Sequence, residues 1–229
     1  MSDLRLLSYN IHGLRDDTDK LTAVIAELKP DVVCVQEAPR FLRWRSKRAA
    51  IARESGLVVA TADRPAGLML MTSLRVKVLG TYFTLLPKSP RLHQRAVCSA
   101  DLVIDGATWR IASVHLSLSA DERREHLAPL WNALPPDIGT PVVVAGDVNE
   151  TPDGPVWQEL STRLTDAWAA AGSGPGNTYS AKQPHKRIDG VFVSGDVEVR
   201  SCRAVDDVPG LAEASDHLPV LAELHAPSR

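Results

Sequence analysis

The sequence predicts an α/β fold in which mixed β-sheets are covered by helices. Three observations carry this. Short apolar runs alternate with helix-like segments almost to the end of the chain. Asp105-Gly106, between two such runs, is a type I′ turn signal, so that pair is antiparallel and the sheets are not purely parallel. The runs at 32–35 and 141–145 are almost continuously apolar, as strands covered on both faces are.

In order along the chain, residues 4–11 read as a first strand closed by Gly13. Thr18 is placed to cap a helix running to Leu28, with Leu21, Val24, Ile25 and Leu28 on one face and Pro30 ending it. A second strand at 31–36 leads to a basic helix over 41–54. Strands follow at 57–60, 68–72, 76–84, 96–104 and 109–115. Residues 120–134 read as a helix, acidic at its start and stopped by Pro135-Pro136. Beyond the strand at 141–145 come a short helix near 156–160 and strands at 188–193, 197–205 and 220–224, with loops between. No tandem repeat or low-complexity stretch occurs, and the glycine- and proline-rich loop 172–177 is too short for a linker, so residues 1–229 are expected to form one domain.

Composition excludes several classes. The 229 residues are 44% hydrophobic and 24% charged, which is neither a disulfide-stapled mini-protein nor a disordered or collagen-like chain. Lysine and arginine total 26 against 28 acidic residues, and the net charge of -2 makes no global electrostatic case for nucleic acid. The 3 cysteines, Cys34, Cys98 and Cys202, form no C-x-x-C pair, so neither a disulfide framework nor a zinc site is indicated. The N-terminus lacks the pattern of a signal peptide, and no apolar run approaches the ~20 residues that cross a bilayer. A cytoplasmic monomer without stable membrane association is the expectation.

The informative feature is where polar residues end apolar strands. Asn10, Glu37, His115 and Asp147 each close such a run, Asn149 follows Asp147 closely, and Asp189 and Asp216-His217 stand beside others. A polar residue commonly ends a strand where the chain meets water; a rigid strand end is also where catalytic groups sit. As chemistry the set is coherent. Glu37 with Asn10 offers hard oxygen ligands suited to magnesium. Asp147, Asp189 and His217 can handle protons, and a carboxylate partner orients a histidine. A metal and histidines without cysteine ligands point to hydrolysis at phosphorus.

These residues lie in motifs. Leu6-Leu7-Ser8-Tyr9-Asn10-Ile11-His12-Gly13 and Val35-Gln36-Glu37 resemble the opening motifs of the endonuclease/exonuclease/phosphatase superfamily, the DNase I-like metal-dependent phosphoesterases. Ser113-Val114-His115-Leu116 looks like its central histidine strand, and Ala145-Gly146-Asp147-Val148-Asn149 is similar to its G-D-x-N signature. Arg187-Ile188-Asp189-Gly190-Val191-Phe192 and Ser215-Asp216-His217-Leu218-Pro219-Val220 resemble the closing motifs, in the family's order. The resemblance implies a four-layered α/β sandwich, two packed mixed β-sheets flanked by helices. It implies Mg2+ or Mn2+ held chiefly by Glu37, with Asn10 beside it and Asp216 contributing. It makes Asp147 and Asn149 the pair that orients water and phosphate, Asp189 and His217 a charged dyad, and His115 a second histidine near the phosphate. His217 and Asp147 are competing candidates for the general base. Arg95 looks like the family's strand arginine, able to fork onto a phosphate oxygen. Tyr179 stands where the family carries a threonine-aromatic pair, and Arg187 belongs to a basic cluster with Lys182, His185 and Lys186; both are expected to contact substrate.

Departures bear on the substrate. His115 stands where the abasic-site endonuclease branch carries an asparagine, and residues 67–70 lack the tyrosine of pancreatic-type deoxyribonucleases. The order Arg187-Ile188-Asp189 differs from the cysteine-aspartate-arginine motif of inositol polyphosphate 5-phosphatases. The expected activity is phosphodiester hydrolysis by in-line attack of water, with nucleic acid as the substrate. Small phosphate esters and phospholipids are the rival substrates, and a non-catalytic binding module on the same fold is the rival class. Arg40, Arg43, Arg45, Lys47, Arg48 and Arg53 form the densest basic run, either a solvated helix face or a phosphate-tracking surface. His12, His93 and His126 read as structural or surface histidines, and Trp109, Trp131, Trp157 and Trp168 as packing residues.

Overall fold

Val32–Gln36 is buried at every residue, which demands a strand on each edge and cover on both faces. The computed structural model, which describes residues 2–61, 65–134 and 139–226, supplies both. Its strands are β1 (Ser2–Asn10), β2 (Val32–Gln36), β3 (Val58–Val59), β4 (Met69–Thr72), β5 (Lys77–Leu85), β6 (Ala96–Ile104), β7 (Ala107–His115), β8 (Val142–Asp147), β9 (Thr165–Asp166), β10 (Gly172–Ser173), β11 (Asp189–Val193), β12 (Glu198–Ala204) and β13 (Val220–Ala226). Its α-helices are α1 (Thr18–Leu28), α2 (Trp44–Glu54), α3 (Ala120–Ala133), α4 (Pro155–Arg163), α5 (Ala167–Ala171) and α6 (Leu211–Ala214). One sheet runs β10-β12-β13-β1-β2-β4-β3 and the other β5-β6-β7-β8-β11-β9.

Alternation along the strands sorts their side chains into layers. Leu4, Leu6, Val32 and Cys34 face inward and meet Cys98, Ile111 and Val143 of the second sheet. Leu7, Tyr9, Val33 and Val35 face outward under the apolar sides of α1 and α2, with Leu21, Ile25 and Ile51 on top. On the far side Val97, Ala112, Val114 and Val144 take Leu130 of α3 and Val156 and Trp157 of α4. The result is helix, sheet, sheet, helix. Cys34, Cys98 and Cys202 are buried, as small core hydrophobes.

Local signals decide where elements turn and stop. Asp105 (φ 48) and Gly106 (φ 83) both take positive φ, and β6 and β7 pair antiparallel across them. Asp17, not Thr18, caps α1: its carboxylate accepts from the Asp19 and Lys20 N–H groups at 3.0 and 3.1 Å, and Thr18 is the first helical residue. The basic helix starts at Trp44 rather than Phe41 because Arg43 stands at φ 59, in the left-handed region. Residues 172–177 are not wholly loop, since β10 pairs with Cys202 and Arg203 of β12. The stop at Pro135-Pro136 lies outside the described residues.

Strand direction brings the polar strand ends together. β1 and β2 are parallel with Asn10 opposite Gln36, so Asn10 and Glu37 leave the first sheet at one end. β7 and β8 are parallel with His115 opposite Asp147. β11 runs antiparallel to β8, which sets its first residue, Asp189, against the last residue of β8, Asp147. Among the described residues no helix is long and apolar enough to cross a membrane.

Candidate active site

The two sheets meet at this rim around the Asp147 carboxylate, which is 2% exposed. Gly146 makes the approach possible, because a Cβ there would stand 1.9 Å from the Val114 carbonyl oxygen of β7. The Asn10 Nδ2 group, from the other sheet, donates to Asp147 Oδ2 at 3.0 Å and to Glu37 Oε1 at 3.5 Å. Asn149 donates its backbone N–H to Asp147 Oδ1 at 2.9 Å and its side-chain Nδ2 to the Leu116 carbonyl at 3.0 Å. His115 Nε2 lies 3.4 Å and His217 Nε2 3.9 Å from Asp147 Oδ2. His217 Nδ1 bonds Asp189 Oδ2 at 2.9 Å, so Asp189 sets the orientation of the ring.

Side chains without an obvious motif hold this set in place. The Ser215 hydroxyl donates to the Asn10 carbonyl at 2.7 Å and accepts the His217 N–H at 3.3 Å, joining the first and last motifs. Thr178 Oγ1 accepts the N–H groups of Ile188 and Asp189, each at 3.3 Å. Gln36 reaches from β2 to Ser113 of β7 with a 3.0 Å bond, a second polar tie between the sheets. Ser8, Gln36 and Ser113 are fully buried polar residues in otherwise apolar strands, and that sequence irregularity was the available signal. Glu37 (φ 56) and Asn149 (φ 56) both adopt the left-handed region that non-glycine residues seldom occupy, and such outliers collect at functional sites.

Burial and charge tune the groups in opposite directions. Burial, reinforced by the negative charge of Asp189, raises the Asp147 carboxyl above its ordinary range against the opposing pull of His217. Burial disfavours the His217 cation, but the charge and hydrogen bond of Asp189, with Asp147 and Asp216 behind it, override this and lift it to about 10. Burial and the positive charges of Arg95, His217, Arg40 and His93 hold His115 well below its usual value, as a neutral imidazole. Arg95 is buried at the same rim, and burial pulls its pKa down against the charges of Asp147 and Glu37.

Two groups could hold a cation. Asp147, Asp189 and His217 bring ligand atoms within 4.8 Å of one another. In that trio His217 Nδ1 is already engaged by Asp189, an arrangement that also suits proton handling and anion contact. Glu37 fits a hard divalent ion. Among the described residues its side chain has only the Asn10 amide as hydrogen-bond partner, and nearby Asp216 presents a solvent-shielded Oδ1 with no partner at all. Asn10 faces both carboxylates with its Nδ2, while its Oδ1 accepts the His12 N–H at 3.1 Å. His12 thus stands nearer the site than a surface histidine, with Nε2 3.7 Å from Asp216.

The other sequence expectations divide. Tyr179 lies against His217, ring centroids 5.1 Å apart, and lines the site. Arg187 does not. Its guanidinium bonds both oxygens of Asp166, at 3.0 and 2.9 Å, and lies between the Trp157 and Trp168 rings, 4.7 Å from each centroid. The structure thus places Arg187 in a packing clamp with Asp166 and two indoles, apart from the groups around Asp147. His126 is structural as expected, its Nε2–H donating to the Pro87 carbonyl at 3.0 Å.

The model of the family described as Endonuclease/Exonuclease/phosphatase matches residues 7–217. None of the curated proteins matches the chain. Solved structures do. An endonuclease/exonuclease/phosphatase from Bacteroides vulgatus superposes with a TM-score of 0.83 at 21% identity, covering 99% of this chain and 100% of that one. A mannosyl-6-phosphatase of Bacteroides thetaiotaomicron gives 0.79 at 17% identity, covering 97% and 99%. TDP2 of D. rerio, complexed with a single-strand DNA product, gives 0.77 at 20% identity, covering 99% and 100%.

Proposed function

The chain belongs to the endonuclease/exonuclease/phosphatase family of hydrolytic, metal-dependent phosphoesterases, and from that premise we propose that it hydrolyses phosphodiesters, with nucleic acid as the substrate class, using Mg2+ or Mn2+. One observation carries the reading: the Asn10 amide holds Glu37 and Asp147 side by side where the two sheets meet.

Glu37, with Asn10 and Asp216, would hold the divalent ion, which when bound would supply neutralisation of phosphate charge and of the leaving oxygen. The remaining roles fall to the chain's own groups. Asp147, with its raised carboxyl pKa and its Oδ1 steadied by Asn149, accepts the proton of the attacking water. This choice between the two candidate bases follows from the Asp189 bond, which leaves His217 charged and without a free lone pair on Nδ1. His217 then contacts a phosphoryl oxygen, together with Arg95 and neutral His115. Tyr179 packs against His217 and bounds the space left to the substrate.

A diester is favoured by His115 and by the lack of the inositol-phosphatase motif, and a nucleic-acid substrate is consistent with the DNA-bound TDP2 structure. The mannosyl-6-phosphatase is equally similar in fold and supports a phosphomonoester as the second reading. Turnover of bis(p-nitrophenyl) phosphate and p-nitrophenyl phosphate with magnesium, manganese or EDTA separates them. The expected result is chelator-sensitive hydrolysis favouring the diester, with Glu37→Gln, Asp147→Asn and His217→Asn each at least ~100-fold slower. A monoester preference of about tenfold or more in kcat/KM installs the second reading. Calorimetry should also show weaker manganese binding in Glu37→Gln, and equal binding removes Glu37 from the metal role.

A further inference from the structure

Beside the active site lies a recess of ≈ 400 Å³ that the proposed hydrolysis does not use, walled by Arg40, Phe41, Ala66, Lys88, Leu92 and His93. Each wall is continuous with the site. Arg40 and Phe41 follow Glu37 in the chain, and Gln94, also in the wall, precedes Arg95. Ala66 adjoins Gly67, whose carbonyl accepts the Ala38 N–H at 2.7 Å. The charges of Arg40 and His93 both reach His115.

The recess is cationic. Among the described residues no carboxylate lines it, and Arg40 and Lys88 have no acidic partner within ion-pair distance. Arg40 lies over the Phe41 ring, 5.2 Å from its centroid. Three other cations of the basic run are engaged otherwise. Arg45 lies 4.4 Å from the Trp44 centroid, Arg48 is buried and donates Nε–H to the Pro39 carbonyl at 2.9 Å, and Lys47 lines a different recess with Asp19 and Glu54. Arg40 thus lines the recess and its charge acts on His115, whereas Arg45, Lys47 and Arg48 are held elsewhere on the helix.

The loop carrying Lys88 and His93 is built rather than loose. Gln94 Nε2 donates to the carbonyls of Leu86 and Arg95 at 2.7 and 2.9 Å, closing the loop at its neck. From below, Glu122 of α3 accepts the Ser89 N–H at 2.5 Å and His126 donates to the Pro87 carbonyl. Glu122 and His126 are 1% and 0% exposed. Burying a carboxylate and an imidazole is costly unless they make such bonds. Neither takes part in the chemistry, so their evident work is to fix this loop.

We propose that the recess is a subsite for a second phosphate: the substrate carries, near its scissile phosphoester, another phosphoryl group that Arg40, Lys88 and His93 receive through charge-assisted hydrogen bonds. This rests on the phosphoesterase reading and refines its substrate class to molecules with at least two phosphates. With an acid-rich, metal-binding end at Glu37, Asp147 and Asp216 and a basic end at Arg40 and Lys88, the groove gives a polyanion one preferred direction. The second phosphate comes from the next internucleotide linkage of a polynucleotide or from a small bisphosphate.

Calorimetry at low salt tests it with thymidine 3′,5′-bisphosphate against the 3′- and 5′-monophosphates, the ligands being checked as intact afterwards. Wild type is expected to prefer the bisphosphate by at least about tenfold, and Arg40→Ala/Lys88→Ala to retain a preference of less than about threefold. Equal binding of bisphosphate and monophosphates by wild type, or an unchanged preference in a double variant of normal melting temperature, overturns the subsite. Oligothymidylate and glucose 1,6-bisphosphate as further ligands name the source: the one whose affinity depends on Arg40 and Lys88 is the chemistry recognised, and dependence of neither overturns the proposal. Turnover of bis(p-nitrophenyl) phosphate in the same preparations reports separately on the phosphoesterase reading, since the binding result stands without it.

Discussion

Asn10 and Asp147 are 137 positions apart in the chain, yet a 3.0 Å hydrogen bond between their side chains joins the rims of the two sheets. The bond has a stability consequence. Asn10→Ala leaves the buried Asp147 carboxyl short of a donor and should cost about 1–3 kcal/mol in urea denaturation, the range for a hydrogen bond to a charged or buried group. Asn10→Asp places a third carboxylate between Glu37 and Asp147 and should be worse in both stability and turnover. Equal stability of Asn10→Ala and wild type would show the tie to be incidental.

The Asp189–His217 pair should behave as one unit. Asp189→Asn, His217→Asn and the double variant are expected to be similarly slow on bis(p-nitrophenyl) phosphate, because removing either member disables the other. The loss should fall mainly on kcat, since orientation of the ring matters most as charge develops on the phosphoryl oxygens. Additive losses in the double variant would assign the two residues separate tasks.

His115 gives a pH dependence of stability. Burial and the charges of Arg95, His217, Arg40 and His93 depress its pKa well below the ordinary value. The unfolded chain therefore takes up the proton first, and this residue's contribution is complete above about pH 6.5 and drains away as pH falls below it. Asp147, with its raised pKa, acts in the opposite sense over the acid range, so total stability is a poor readout. The comparison to make is His115→Asn with wild type: between about pH 7.5 and about pH 5 the variant should lose less melting temperature. Parallel curves would mean that His115 titrates normally.

Arg187 should matter to folding rather than to substrate. Its side chain and that of Asp166 are 11% and 6% exposed, so Arg187→Ala leaves a buried carboxylate without its cation, held only by the Trp157 indole N–H and two backbone N–H groups, and a gap beside two indoles. The expected cost is about 3–5 kcal/mol, seen as a lowered urea midpoint, with KM for the diester little changed in the folded fraction. A raised KM at unaltered stability would restore the substrate role.

The placement of Arg187 shows where sequence reasoning stopped. Carboxylates and histidines ending apolar runs were legible because a two-residue period makes the end of a buried strand visible, and Glu37, His115 and Asp147 became candidates that way. Their convergence was not legible, since it depends on β1 and β2, and β7 and β8, being parallel, and on β11 running against β8. Asp166 belongs to the two-residue β9 and Trp168 to the five-residue α5, both too short to leave a periodic signature, so the partners of Arg187 could not be read. Ser215 and Thr178 escaped for a related reason: hydroxyls that bond backbone atoms of distant segments look in sequence like ordinary loop residues.

In the middle of the first sheet, β1 lies directly beside β13, with Ser2 opposite Ala226 and Ser8 opposite Val220. This pairing joins the first and last of the described strands, and contacts of such long separation form slowly. During synthesis the first strand must wait with one edge bare while β5, β6 and β7 can already associate as sequence neighbours. Ser215, Asp216 and His217 emerge just ahead of β13, so Asn10 gains its serine anchor only then. Docking of β13 thus completes the site and covers the open edge of β1 in one event, and an uncovered edge of that kind is a template for aggregation.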